Sequence, residues 1–217
     1  MTVKEIIHEL KKHGSKKNCE GMARFGINTE KAFGVNIPVI RRIVKKIGKN
    51  HNLALKLWDT EYHEARILAS MIDKPELVTK SQMDKWAKDF NSWDLCDQTC
   101  MNLFCRTQFA NEKIFKWSKS KNEFVKRAAF TLIACLAVYE KNLEDSEFIK
   151  YFDLIRTHST DERNFVKKAV NWSLRQIGKR NQTLREEALK LSQEILMLNS
   201  KSAKWIAKDA IRELNNF

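Results

Sequence analysis

Apolar positions along this chain fall mostly at spacings of three and four, the period of a helix with one buried face. Val3, Ile6, Ile7 and Leu10 form such a stripe, opened by the capping-box pattern Thr2-x-x-Glu5 and stopped at Gly14. Lys4, Lys11 and Lys12 on the same segment would suit a membrane-surface helix, but the stripe is narrow and packing on the protein body is the better reading. Phe25-Gly-Ile27 and Phe33-Gly-Val-Asn-Ile-Pro38 read as loops around their glycines, with Pro38 in the first turn of a helix from Val39 to Ile47 that carries Arg41, Arg42, Lys45 and Lys46. A pair of helices follows, Leu53 to Trp58 and Tyr62 to Ile72, then another from a Ser81-x-x-Asp84 cap through Phe90.

The second half repeats itself. Phe124-Val-Lys-Arg-Ala-Ala-Phe130, Phe165-Val-Lys-Lys-Ala-Val-Asn171 and Trp205-Ile-Ala-Lys-Asp-Ala-Ile211 share one pattern at offsets of 41 and 40 residues. A fixed period in that range indicates HEAT-like two-helix repeats stacked as an α-solenoid, so the expected fold is an all-α superhelix. Each copy places cations at one point along its helix, and stacking would align Lys126, Arg127, Lys167, Lys168 and Lys208 as a ribbon along a basic concave face.

Composition agrees with this picture. With 217 residues, 43% apolar, the chain can bury one sizeable core, and a solenoid of this length reads as a single domain, 1–217. Only six glycines and two prolines interrupt it, which leaves little turn chemistry for a sheet. A formal charge of +13 on an extended positive surface indicates a polyanion as partner, with duplex nucleic acid the first candidate. The five cysteines are an odd number and the N-terminal residues are too polar for a secretory core, so a cytoplasmic setting is expected. No apolar run is long enough to span a bilayer, no Gly-rich phosphate loop speaks for a nucleotide cofactor, and a monomer is expected.

Candidate chemistry concentrates in Asn91-Ser-Trp-Asp-Leu-Cys-Asp97. Ser92 reads as an N-cap, which puts Trp93, Asp94 and Asp97 in the first two turns of a helix, with Trp93 and Asp97 on one face. A carboxylate near a helix N-terminus also serves the helix dipole, worth about 0.3 to 1 kcal/mol, and this suffices for Asp94. Asp97 lies deeper in the helix and is open to a catalytic role. Trp172 and Arg175 are a second aromatic and cation pair; enough apolar neighbours remain to pack their helix without Trp172, so the two should face outward beside Lys168. An aromatic plane beside cations suits a sugar and phosphate backbone. Cys96, Cys100 and Cys105 lack the spacing and the nearby histidine of a zinc site and read as buried free thiols; no metal is expected. His63, with Glu64 and Arg66, reads as a helix-start and ion-pair arrangement.

In this order and over Met22 to Arg212, several segments together resemble the AlkD-type DNA alkylation repair proteins, which are HEAT-like DNA glycosylases. They are Met22-Ala-Arg-Phe25, Phe33-Gly-Val-Asn-Ile-Pro-x-x-Arg41, Leu57-Trp-Asp-x-x-Tyr-His-Glu-Ala-Arg66, Ser92-Trp-Asp-x-x-Asp97, Arg127-Ala-Ala129 and Trp172-x-x-Arg175. The resemblance implies that Asp97 is the catalytic carboxylate and that Trp93 and Trp172 are aromatic contacts to the lesion deoxyribose. It gives Arg127 and Arg175 phosphate or lesion-side contacts and brings Phe25, Asn36 and Arg41 into the DNA-binding set, which Lys126 and Lys168 join from the cation ribbon. Phe25 stands where members tend to carry tyrosine and Asn36 where glutamine is expected; the lost hydroxyl and shortened amide should alter DNA grip more than bond cleavage.

The implied substrate is duplex DNA containing an N3- or N7-alkylated purine. Such a base is already positively charged, so it leaves without a general acid, and what needs stabilising is the cation forming on the sugar. The implied reaction is hydrolysis of the N-glycosidic bond in base excision repair, without a base-flipping pocket and without a cofactor. Two other classes fit the same features: a non-catalytic protein that binds distorted or branched DNA, and an interaction scaffold.

Overall fold

The computed structural model describes all residues, 1–217. They form fourteen α-helices with two short 3-10 turns, Pro75–Leu77 and Phe104–Arg106, and no strand, as the sequence pattern predicts. The chain divides into two compact units, Met1–Phe109 and Ala110–Phe217.

The first unit contains α1 (Val3–Lys12), α2 (Lys16–Arg24), α3 (Ile37–Ile47), α4 (His51–Trp58), α5 (His63–Ile72), α6 (Lys80–Lys88) and α7 (Trp93–Asn102). The Thr2 and Glu5 capping box is formed in both directions at the start of α1. Helix α3 starts two residues before the expected Val39, because the Asn36 side chain accepts the Val39 N–H at 3.2 Å and Pro38 supplies a preset φ in the first turn. The expected cap of α6 is corrected. Thr79, not Ser81, accepts the Gln82 N–H at 3.1 Å, and Ser81 lies inside the helix. Thr79→Ala should therefore cost about 1 kcal/mol, whereas Ser81→Ala should leave thermal stability unchanged; paired melting curves check this.

The core of this unit is built on Trp58 and Trp86, whose rings stack at 3.9 Å with 3° between their planes, flanked by Phe90 and Phe104. Beside them runs α5, which is buried at all ten positions although His63, Glu64 and Arg66 are polar. Burying such groups is costly unless each is paired. The Arg66 Nε donates to the Trp58 carbonyl at 3.3 Å, its guanidinium lies 3.8 Å from the Asp89 carboxylate, and Asp89 in turn accepts the Trp58 indole N–H at 2.8 Å. Glu64 accepts three consecutive backbone N–H groups, from Phe33 at 3.0 Å, Gly34 at 2.7 Å and Val35 at 3.1 Å. That turn requires glycine: Gly34 has φ +78°, and a Cβ there would lie 2.2 Å from the Ser15 carbonyl oxygen.

The second unit contains α8 (Ala110–Trp117), α9 (Glu123–Tyr139), α10 (Asp145–Ile149), α11 (Phe152–His158), α12 (Asn164–Gly178), α13 (Gln182–Leu196) and α14 (Lys201–Asn215). The three sequence copies fall on α9, α12 and α14, and their equivalent positions meet: the Phe124 and Phe165 rings are 5.5 Å apart. Bonds between successive copies keep a constant step. Arg127 donates to the Phe165 carbonyl, Asn171 to Asp209 and Arg175 to Glu213, each across 38 residues. At Gly178 helix α12 comes so close to α13 and α14 that a Cβ would meet the Leu214 methyls at 2.8 Å and the Ala188 Cβ at 3.0 Å. The Arg180 guanidinium donates to four carbonyls that close α9, those of Ala137, Glu140, Lys141 and Leu143, and lies 4.1 Å from the centre of the Phe148 ring.

The expected ribbon of outward cations is corrected in this unit. Lys126 pairs with Asp161 at 3.3 Å, and Arg127 is buried with its guanidinium on the Phe165 carbonyl at 2.7 Å. Lys167 lies 5.1 Å from the centre of the Trp205 ring, and only Lys168 and Lys208 of the series are exposed. The physical reason is the repeat itself, since stacking brings a partner from the next copy to each of these cations, a carboxylate for Lys126, a carbonyl for Arg127 and an indole ring for Lys167.

Candidate active site

Helix α7 begins where the sequence places it. Ser92 occupies the N-cap position, though its hydroxyl makes no bond to the helix and instead reaches the Asn91 side chain at 3.4 Å. Trp93 and Asp97 are one turn apart on this helix. Asp97 is 8% exposed, so its carboxylate sits at the edge of the protein interior, where charge interactions are stronger than in water.

Trp93 is held from a distance in sequence. Its indole N–H donates to the Phe25 carbonyl at 3.0 Å, across 68 residues. Phe25 closes α2 as its C-cap residue, and its ring is 73% exposed. The two aromatics that the sequence names separately are thus joined through a main-chain oxygen. Both line a cleft of about 630 Å³, with Asn36 on its wall, whereas Asp97 lies outside the lining. Asn36 is exposed, and its side-chain oxygen is already committed to capping α3, which leaves its amide N–H₂ as the group able to meet a ligand. Arg41 lies exposed on α3 with Arg42, Lys45 and Lys46, on a helix without an acidic residue.

Asp94 has a partner that sequence reading missed. Its Oδ2 accepts from the His63 Nε2 at 2.8 Å, which ties the first turn of α7 to the first turn of α5. Burial works hardest on His63 and opposes its charge, yet the hydrogen bond and negative charge of Asp94, helped by Glu64, outweigh it, and the His63 pKa is raised above the ordinary imidazole value. A raised folded-state pKa contributes stability that is complete below the unfolded value, about 6.5, and is lost as pH rises through the folded value. The native protein should therefore lose melting temperature relative to His63→Gln as pH is raised from 6 upward, and the difference between the two curves is the quantity to measure.

In the second unit Trp172 is half-buried on α12, and Lys168 is exposed on the same helix. Arg175 departs from the expected outward position. Its guanidinium pairs with Asp209 at 3.4 Å and with Glu213, both on α14, and its Nε is buried without a partner. The signal was present in the sequence, because both acids lie close to one repeat period beyond Arg175. Of the thiols, Cys96, Cys100, Cys105 and Cys135 are buried, Cys19 is half-buried, and none of the five forms a disulfide.

A repetitive all-α architecture with cross-repeat polar bonds defines a HEAT-like helical-repeat protein. A sequence profile of the DNA alkylation repair enzyme family matches residues 6–214, and the chain belongs to that family. A DNA repair function follows from this membership. Among solved structures, one from a family related to the HEAT-like repeat DNA glycosylases, described as having affinity for branched DNA structures, superimposes with a TM-score of 0.83. It is 21% identical, covers 100% of this chain and is covered to 97% itself, a likeness that establishes the shared fold. An engineered protein aligns over 99% of this chain at 15% identity with a TM-score of 0.42, too low to carry an argument. No curated protein sequence matches the chain.

Proposed function

We propose that this chain is a monofunctional DNA glycosylase that hydrolyses the N-glycosidic bond of N3- or N7-alkylated purines in duplex DNA, the first step of base excision repair. The observation that carries the reading is the pair on α7. A tryptophan and a largely buried carboxylate, Trp93 and Asp97, share a helix face in a chain matched to the alkylation repair family from residue 6 to 214. The family match also crosses both compact units, which supports treating them as one functional domain. Five cysteines outside any disulfide accord with a reducing, cytoplasmic setting.

The chemistry needs little from the protein. The bond between base and anomeric carbon breaks with its electron pair going to the base, which leaves neutral. The Asp97 carboxylate meets the positive charge that develops on the sugar and orients the water that adds to the anomeric carbon, whose proton passes to solvent. The indole face of Trp93 favours the same developing charge, by about 0.5 to 2 kcal/mol. Of the contacts expected on the second unit, the half-buried Trp172 and the exposed Lys168 are open to DNA, whereas Lys126, Arg127 and Arg175 would have to exchange partners to reach a phosphate.

The test is single-turnover base release from a duplex carrying one N7-methylguanine, comparing the native chain with Asp97→Asn. Release by the native chain and not by the variant supports the glycosylase. The structural neighbour's described affinity for branched DNA favours a second reading, a non-catalytic binder of DNA structures. Absence of release by either protein, with tight binding to a junction, would establish that one.

A further inference from the structure

Helix α14 carries its charges on opposite sides. Its two carboxylates turn inward to α12: Asp209 accepts from the Asn171 amide at 2.6 Å and pairs with Arg175 at 3.4 Å, and Glu213 pairs with Arg175 and Lys179. Its cations turn to solvent. Lys201, Lys204, Lys208 and Arg212 are all exposed, no acidic residue of the helix is, and of the four only Arg212 forms an ion pair, with Asp209. Spacings of three and four put them on one stripe with Trp205, whose side chain is 41% exposed. The Lys167 ammonium lies over the Trp205 ring, 5.1 Å from its centre, and the rest of the ring is open to solvent. The placement runs against the helix itself. Lys201 and Lys204 stand in its first turn, where the dipole disfavours cations, and that turn holds no acid of its own. A face that served only solubility would intersperse both signs of charge. One sign with an aromatic at its centre fits a polyanion that also offers rings.

We propose that the exposed face of α14 binds an unpaired DNA strand running on from the duplex that this protein processes, with a base stacked on Trp205 and phosphates against Lys201, Lys204, Lys208 and Arg212. The proposal rests on the DNA-processing reading above. The repeat gives the strand its route: Lys208 stands 40 residues beyond Lys168, and Arg212 40 beyond Trp172, so the positions of α12 that are open to DNA are continued on α14. From Lys201 to Arg212 the stripe extends about 16 Å, the length of a few nucleotides. Trp205 decides between strand and duplex. A paired helix offers its phosphates to an outer protein face and gives an exposed indole nothing to stack on, whereas every unpaired base has a free ring face.

Two labelled DNAs of one duplex sequence, blunt-ended and with a tail of unpaired thymidines, are titrated by fluorescence anisotropy over a range of salt concentrations. The native chain should bind the tailed duplex at least about five-fold more tightly than the blunt one. Trp205→Ala should abolish that preference and leave the affinity for the blunt duplex unchanged, and Trp205→Phe, which keeps an aromatic face, should retain most of it. Lys201→Gln combined with Lys204→Gln should reduce the slope of log K against log salt for the tailed duplex by about one. Removing cations from the first turn of a helix favours folding, and a melting curve verifies that the variant is intact. Equal affinity for blunt and tailed DNA, a tail preference that survives in Trp205→Ala, or an unchanged salt slope in the lysine variant would overturn the proposal while leaving DNA binding intact. Failure to bind either DNA would overturn the DNA-processing reading, and the proposal with it.

Discussion

Asp97→Asn is expected to slow base release from N7-methylguanine duplexes by about a hundred-fold or more while binding the same DNA as tightly as the native chain or slightly more so. The two halves of this result have one origin. The alkylated base needs no proton from the protein, so the carboxylate contributes only where positive charge appears on the sugar, which is in the transition state and not in the bound substrate. An amide of the same shape keeps the packing of a side chain that is only 8% exposed, but it carries no charge to oppose the cation. Against a DNA backbone, losing one negative charge is neutral or mildly favourable. A purely structural Asp97 would give the opposite pattern, a lowered melting temperature with no selective loss of turnover, so melting, binding and single-turnover release measured on one preparation separate the cases.

The second large effect is on stability. Glu64→Ala should destabilise the first unit by about 3 to 5 kcal/mol, a fall of well over ten degrees in melting temperature for a unit of this size. Glu64 is 1% exposed, and its carboxylate is the acceptor for the N–H groups of Phe33, Gly34 and Val35. Removing it orphans three donors at once in a turn where Gly34 already holds a positive φ, and a backbone segment with unsatisfied buried N–H groups does not keep its shape. Glu64→Gln retains one acceptor oxygen and should cost less than half as much. Because the same turn leads into Asn36 and the start of α3, the alanine variant should also weaken DNA binding near its melting temperature and not far below it.

Most of the helices were legible in the sequence because the three-and-four spacing of apolar residues and the caps at Thr2 and Pro38 act locally. The repeats of the second unit were legible because Phe124, Phe165 and Trp205 reuse similar side chains at similar positions. The first unit shows a constant step of its own, with Trp58 bound to Asp89, the Phe33 amide to Glu64 and His63 to Asp94, each across 31 residues. That period was hidden because its bonds join unlike residues, and identity between copies is what a reader of sequence compares. The choice of Thr79 over Ser81 as the cap of α6 could not be read locally either, since both residue types cap well and the packing of α6 decides between them. At the site, the shared face of Trp93 and Asp97 follows from helical spacing alone. The link from Trp93 to Phe25 does not, because a main-chain carbonyl carries no residue identity. The outward guanidinium expected at Arg175 failed for a third reason: its partners Asp209 and Glu213 reach it only once the repeats stack.

Helix α5 has a consequence for how this protein can change over generations. Within its first four residues, His63 reaches α7, Glu64 holds the turn before α3, and Arg66 holds the end of α4 together with Asp89 beyond α6. A substitution at any of the three is harmful alone and tolerable only beside a matching change in another segment. Divergent copies of this chain should therefore vary more freely at surface positions away from the DNA contacts, while positions 63 and 94, and positions 66 and 89, alter in concert or not at all.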